Sequence, residues 1–120
     1  VGYVASEITK HGGIAICSLI APYAQARDKA RELVESQGSF VEVYVATSLA
    51  VCEERDVKGL YEKARQGLIK QFTGIDDPYE EPEAAEVTID TEKDSPETLA
   101  NEIIKYLESE NLITVRSKKD

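Results

Sequence analysis

The sequence holds no methionine and no tryptophan, one histidine and two cysteines in 120 residues. With no methionine and an opening directly on helical periodicity, it reads as a fragment or a processed chain. One histidine leaves no Ser-His-Asp or Cys-His set to assemble. His11 stands beside Gly12-Gly13 and reads as the end of a helix rather than a base. Cys17 and Cys52 show no zinc-site spacing, and each lies in an apolar segment, as a buried free thiol would. The longest apolar stretch, Ile14 to Ala21, is broken by Ser18 and is far too short to cross a bilayer. No charged-then-apolar leader is visible, so the expected location is cytoplasmic, with no membrane partner.

Basic charge is also scarce. The net charge of −9 argues against broad nucleic-acid binding, which needs a basic surface to displace counterions. Yet Lys58, Lys63, Arg65 and Lys70 fall within 13 residues that hold one acid, Glu62, a local charge of +3. Such an island suits a small anionic ligand or is a solvated helix face; charge alone leaves both open.

What is present is a balance of 42% apolar and 31% charged residues, which places the chain among globular rather than disordered proteins. Val1, Val4, Ala5 and Ile8 recur at helical spacing up to Gly12-Gly13. Ile14–Ile20 reads as a buried strand ended by Pro22. Ala24 to Gln37 reads as an amphipathic helix with Ala26, Ala30, Leu33 and Val34 on one side. Phe40–Ala46 reads as a strand. Thr47 or Ser48 can cap a short helix through Leu49, Val51 and Cys52. A charged helix is predicted from Asp56 to about Gln66, a short strand from Glu86 to Asp90, and a last helix capped by Asp94 or Ser95 with Pro96 in its first turn. Thr114 to Asp120 reads as a polar, frayed tail. Strands alternating with helices predict an α/β fold, a parallel sheet with helices on both faces. Three strands are few for such a sheet, and further strands before Val1 are expected.

The stretch from Gly67 to Ala85 carries Gly67, Gly74, Pro78 and Pro82 and reads as loop. Loops longer than roughly 12–15 residues in compact domains are usually functional or disordered. This one follows the basic island and contains Phe72. It reads either as a lid over a nucleotide, with the ring on a base and the lysines on phosphates, or as a packed loop plugged by Phe72.

The run Asp56-Val57-Lys58-Gly59-Leu60-Tyr61-Glu62-Lys63-Ala64-Arg65-Gln66-Gly67, then Ile69-Lys70-Gln71-Phe72-Thr73-Gly74-Ile75-Asp76-Asp77-Pro78-Tyr79-Glu80 and Pro82, closely resembles the signature of adenylylsulfate kinases. Ser18-Leu19-Ile20-Ala21-Pro22-Tyr23, with Arg27 and Arg31 after it, resembles that family's S-L-I-S-P-Y segment. The resemblance implies a P-loop-kinase-like fold, of which residues 1–113 would be a partial domain with its lid at about 56–85, before the tail at 114–120. It implies transfer of the γ-phosphoryl of ATP to the 3′-hydroxyl of adenylylsulfate, as in sulfate assimilation. Lys58 would meet the anionic part of adenylylsulfate, Phe72 would stack on its adenine, and Ile20, Ala21 and Leu60 would line its pocket. Arg65, Lys70 and Thr73 would be lid residues near phosphates, and Asp94 would lie near the ATP adenine. A homo-oligomer and a fused ATP sulfurylase are further partners it implies. A non-catalytic, kinase-like domain of an ATP sulfurylase that binds 3′-phosphoadenylylsulfate is the alternative.

Two departures qualify the resemblance. Ala21 replaces a serine proposed to be phosphorylated in some relatives, so no phosphoserine step can occur there. The family's G-x-x-x-x-G-K-[ST] loop is not among the seven glycines. By family spacing it would stand about 60 residues before Val1. ATP and Mg²⁺ are therefore expected in a complete domain and on neither count with these 120 residues alone, which carry no assignable catalytic or metal-ligating residue and should be inactive.

Overall fold

The computed structural model describes residues 1–114. The tail expected from Thr114 onward lies, after that first residue, outside the described residues.

Seven elements follow one another: α1 (Gly2–Lys10), α2 (Ala24–Glu35), β1 (Val43–Val45), α3 (Leu49–Arg55), α4 (Leu60–Arg65), β2 (Val87–Ile89) and α5 (Pro96–Ser109). Strands β1 and β2 pair in parallel, with Val43 opposite Val87 and Val45 opposite Ile89. The connection between them contains α3, α4 and the long loop, the crossover that a parallel pair requires. Ser48 and Ser95 cap α3 and α5, their side chains accepting from Val51 N (3.4 Å) and Thr98 N (3.2 Å). Of each pair of predicted caps, the serine takes the place. Pro96 stands at the start of α5, where its missing N–H costs nothing.

α1 packs on α2 through small residues. A Cβ on Gly2 would come within 3.2 Å of Ala30, so the two helices meet at close range. Ala5, Ser6 and Val34 are buried at that contact side, and Leu99 of α5 is buried against the sheet end. These, with Ala64, are the buried side chains among the described residues.

α2 is joined to the sheet by charge. Arg31 donates to both oxygens of Glu86 (2.5 and 2.9 Å) and lies over the Phe40 ring at 4.7 Å. Glu86 also accepts from Glu42 N (2.6 Å). The Arg31 guanidinium holds the Glu86 carboxyl below the usual range, and its own pKa is raised in return.

The segment Ile14–Ile20, expected as a buried third strand, is extended but unpaired among the described residues. A strand needs a neighbour for its N–H and C=O groups, and β1 and β2 pair only with each other. Its side chains are consequently exposed, Ile16 by 89%. Cys17, expected to be buried, is exposed for the same reason, while Cys52 is half-buried.

Candidate functional site

The basic island begins on a turn built by Asp56 and Gly59. Gly59 N donates to the Asp56 carbonyl (2.8 Å), and Gly59 adopts φ +62, a left-handed conformation that glycine enters freely. The Asp56 carboxylate then accepts from Tyr61 N (2.9 Å) and Glu62 N (3.0 Å), capping α4. Those two backbone donors, Glu62 N foremost, hold its pKa below the ordinary aspartate value. The charged helix thus starts at Leu60 rather than Asp56. Val57 and Lys58 are left at the apex of the turn, Val57 91% exposed and Lys58 exposed without an ion pair among the described residues. In the Asp-x-Lys-Gly pattern, aspartate and glycine make the turn and lysine is what it displays.

The long loop is organised the same way. The Asp76 carboxylate accepts from Gln71 N (2.9 Å) and Phe72 N (2.6 Å), and these donors depress its pKa. The Phe72 carbonyl accepts from Ile75 N (3.0 Å) and Asp76 N (3.2 Å). Gly74, at φ +88, donates to the Asp77 carbonyl (2.7 Å) with no room for a side chain beside Leu49. Phe72 is half-buried and meets Tyr61 edge-on, with ring centroids 5.0 Å apart and planes at 71°. Thr73, half-buried, is bridged to Asp77. Gly74 and Asp76 therefore shape the loop, and Phe72 packs on α4 while keeping part of its ring open. The packing of Phe72 on Tyr61 is what a packed loop requires.

The rear of the loop is tied to the segment around Ala21. Tyr23 Oη donates to Asp77 (2.7 Å), which pushes the Tyr23 pKa up. Glu80 N donates to the Pro22 carbonyl (2.8 Å), and the Glu80 carboxylate accepts from Ala24 N (2.6 Å). Arg27 donates to the carbonyls of Ala21 and Glu80, both at 2.7 Å. Ala21 itself sits at φ +44, a left-handed conformation that a residue with a Cβ adopts under strain. Ile20 beside it is exposed by 69%. The loop expected to be free thus has a bonded centre at 71–77 and a bonded rear at 77–80. Ile69 and Lys70 make no backbone hydrogen bond, and neither do residues 81–85, so the bonded part of the loop is flanked by a free stretch on each side.

The other predicted site residues divide. Arg65 is engaged by Glu53 through Nε (2.9 Å) and Nη2 (2.7 Å), which raises the arginine pKa and lowers that of Glu53. Lys63 and Lys70 are exposed, with no ion pair among the described residues. Leu60 is 37% exposed at the first turn of α4. Asp94 is exposed and lines an open depression of about 260 Å³ beyond the end of β2, with Asp90, Lys93 and Glu102. The region past the carboxyl ends of parallel strands is where open α/β sheets bind ligands. Arg55 of α3 reaches across to this side, donating to Thr91 Oγ1 (2.6 Å) and the Thr91 carbonyl (3.1 Å), while the Thr47 and Thr91 hydroxyls meet at 2.7 Å. Arg27, Arg55 and Thr91 escaped assignment from sequence because each has a partner far along the chain, Glu80 for Arg27 at 53 residues, Thr91 for Arg55 at 36 and Thr47 for Thr91 at 44. Among the described residues, no three His, Cys, Asp or Glu side chains converge as a metal site, and no helix is long and apolar enough to cross a membrane.

The parallel α/β unit is structurally similar to solved APS kinases, which places its fold in the P-loop-kinase class. The adenylylsulphate kinase family model matches residues 1–90, and the chain belongs to that family. It is 48% identical over 113 residues to the adenylyl-sulfate kinase of Halothermothrix orenii, covering 94% of this chain and 60% of that protein. It is 50% identical over 113 residues to the sulfate adenylyltransferase of Chaetomium globosum, again covering 94% of this chain but 20% of that protein. Among solved structures it superposes on the APS kinase CysC of Mycobacterium tuberculosis in complex with AMPPNP and APS, with a TM-score of 0.85, 39% identity, and coverage of 89% of this chain and 62% of that one. The chain thus spans about three fifths of such kinases and a fifth of the fungal protein.

Proposed function

We propose that this chain forms the adenylylsulfate side of an ATP-dependent adenylylsulfate kinase. The observation that carries the reading is the pairing of displayed side chains with dedicated supports: Lys58 on the Asp56–Gly59 turn and Phe72 on the Asp76-capped loop. Lys58 supplies a cation for the phosphosulfate, and the open part of the Phe72 ring supplies a face for adenine. Ile20, Ala21 and Leu60 complete the apolar lining. Lys70, in the free stretch before Gln71, and Thr73 swing toward the phosphates as the loop closes; Arg65 takes part only after leaving Glu53. Asp94 stands on the ATP side.

In the reaction the 3′-oxygen bonds to the γ-phosphorus, the bond from that phosphorus to the β,γ-bridging oxygen breaks, ADP departs with that oxygen, and the hydroxyl proton passes to solvent. Such transfer depends on positioning and charge stabilisation rather than covalent chemistry by the protein, so Ala21 is no obstacle to it. ATP and Mg²⁺ are needed, and among the described residues no three acids converge to hold the metal. We place the phosphate-cradling loop and the strands that pair with Ile14–Ile20 outside these 120 residues. The domain would comprise residues 1–113 together with that further part, and act in the cytoplasm.

The similarity to a fungal sulfate adenylyltransferase supports a second reading, a non-catalytic domain that binds 3′-phosphoadenylylsulfate and regulates a fused sulfurylase. Intact Lys58 and Phe72-Thr73-Gly74-Ile75-Asp76 favour the enzyme. A relative is a hexameric APS kinase from Thiobacillus denitrificans (TM-score 0.65, 35% identity), which supports a homo-oligomer here. Titration of adenylylsulfate and 3′-phosphoadenylylsulfate into the full-length protein separates the readings. The kinase binds adenylylsulfate and turns it over with ATP; the regulatory domain binds only the phosphorylated nucleotide.

A further inference from the structure

Arg27 is engaged more widely than a surface helix residue has reason to be. Its guanidinium uses three nitrogens on three separate segments of chain. Nε lies 2.8 Å from Glu42 Oε1, Nη1 donates to the Ala21 carbonyl and Nη2 to the Glu80 carbonyl, each at 2.7 Å. Its Cζ lies 5.8 Å from the centroid of the Tyr79 ring, which stacks on Tyr44 of β1. The side chain is 11% exposed. Glu42 Oε1 is buried with no well-aligned hydrogen bond, and the Arg27 cation lies closest to it, while Arg31 reaches the other oxygen at 3.4 Å. The three acceptors are met by three nitrogens spread over a rigid planar fork; an ammonium, whose three donors radiate from one nitrogen, cannot reach the same set in place.

The acceptors matter for what they fix. One is the carbonyl of Ala21, whose backbone sits at φ +44. A left-handed alanine persists only where its surroundings hold it. The other is the carbonyl of Glu80, where the long loop rejoins the body. We propose that Arg27 is a positioning residue that holds Ala21 in its strained conformation and pins the rear of the loop, so that closure is confined to residues 67–76. The consequence for substrate rests on the kinase reading: the floor of the adenylylsulfate pocket and the pivot of its lid are set by one side chain that itself touches no nucleotide.

The test uses the full-length protein containing this chain and the variants Arg27→Lys, Ala21→Gly and their double. The first readout needs no nucleotide. In Arg27→Lys, amide exchange should quicken at Glu80, whose N–H reaches Pro22, and at Ala24, whose N–H reaches the Glu80 carboxylate. Gln71 and Phe72, held by Asp76, should keep their protection. The second readout is kinetic. Loss of hydrogen bonds to a charged group should raise KM for adenylylsulfate by about tenfold, with KM for ATP changed less than about twofold. Because Ala21→Gly removes the strain that Arg27 opposes, the double variant should recover most of that KM, which a mere loss of stability would not allow. Unchanged exchange at Ala24 and Glu80, or no recovery in the double variant, overturns the inference. If the unsubstituted protein neither binds nor turns over adenylylsulfate, the kinase reading fails instead, and exchange alone then decides whether Arg27 pins the loop.

Discussion

Phe72→Ala separates the two roles that its surroundings allow. The ring is half-buried and has one aromatic partner, Tyr61, edge-on at 5.0 Å. Truncating a fully buried phenylalanine costs about 3–5 kcal/mol of stability. Half-burial reduces that figure, and an edge-on aromatic pair contributes about 0.5–1.5 kcal/mol beyond its area. The loop is also shaped by Asp76 and Gly74 through backbone groups that the substitution leaves in place. We therefore expect a stability loss of about 1–2 kcal/mol. Stacking of a base on an aromatic ring is worth about 1–3 kcal/mol by alanine substitution, which converts to an adenylylsulfate affinity roughly ten- to a hundred-fold weaker. Chemical denaturation gives the first quantity and calorimetric titration of adenylylsulfate the second, both on the full-length protein. Phe72→Tyr should restore affinity, since it keeps the ring face. A stability loss of about 3–5 kcal/mol with unchanged affinity per folded molecule would refute the stacking role and leave Phe72 as packing.

Lys58→Ala should weaken adenylylsulfate binding, and the difference from the unsubstituted protein should shrink as salt is raised from low to physiological levels, because an exposed charge acts through a screened field. Glu86→Gln removes the charge from the partner that Arg31 engages through both oxygens, leaving it Glu35 and Glu42, and loss of such hydrogen bonds should cost about 1.5–3 kcal/mol near neutral pH by denaturant titration. The folded-state pKa of Glu86 lies below its unfolded value. Its contribution is therefore present in full above the ordinary glutamate pKa and is lost as pH falls through the depressed one. The variant and the parent should converge in stability toward that acid limit. Hydrogen exchange without ligand should be fast at Ile69 and Lys70, and at Glu81, Glu83, Ala84 and Ala85, and slower at Gln71 and Phe72; uniform exchange from Gly67 to Ala85 would contradict the bonded loop centre. The 120 residues alone should show no phosphoryl transfer, since nothing in them clamps the donor phosphates; turnover by a mass-verified sample would refute this.

Local chemistry made much of this architecture legible in the sequence. Serine before Leu49 and before Pro96 marks the starts of α3 and α5 because a short hydroxyl reaches the third N–H beyond it. The strand through Val43 and Val45 and that through Val87 and Ile89 stand out by β-branched residues between polar turns. The same signal misled at Ile14–Ile20, since an apolar β-branched run states that a strand can form but not that a neighbour is there to pair with it. Cys17 followed that misreading outward. Lys58 and Phe72 were singled out by resemblance, and the structure adds why Asp56, Gly59, Gly74 and Asp76 accompany them. Arg27 and Arg55 were not assigned roles, because an arginine on a helix reads as solvated until its distant acceptors are known. Arg65 shows the converse, a cation that looks free in sequence and is held by Glu53 twelve residues earlier.

The central claim is that Lys58 and Phe72 receive adenylylsulfate for phosphorylation, and a single assay reaches it most directly. The full-length protein is given adenylylsulfate and ATP labelled in its γ-phosphoryl, and the products are resolved for the unsubstituted protein and for Lys58→Ala. We expect label on the 3′-oxygen of adenylylsulfate, at a rate that the variant loses through a higher KM for adenylylsulfate. Label confined to ATP and free phosphate, with 3′-phosphoadenylylsulfate binding unchanged in the variant, would contradict it.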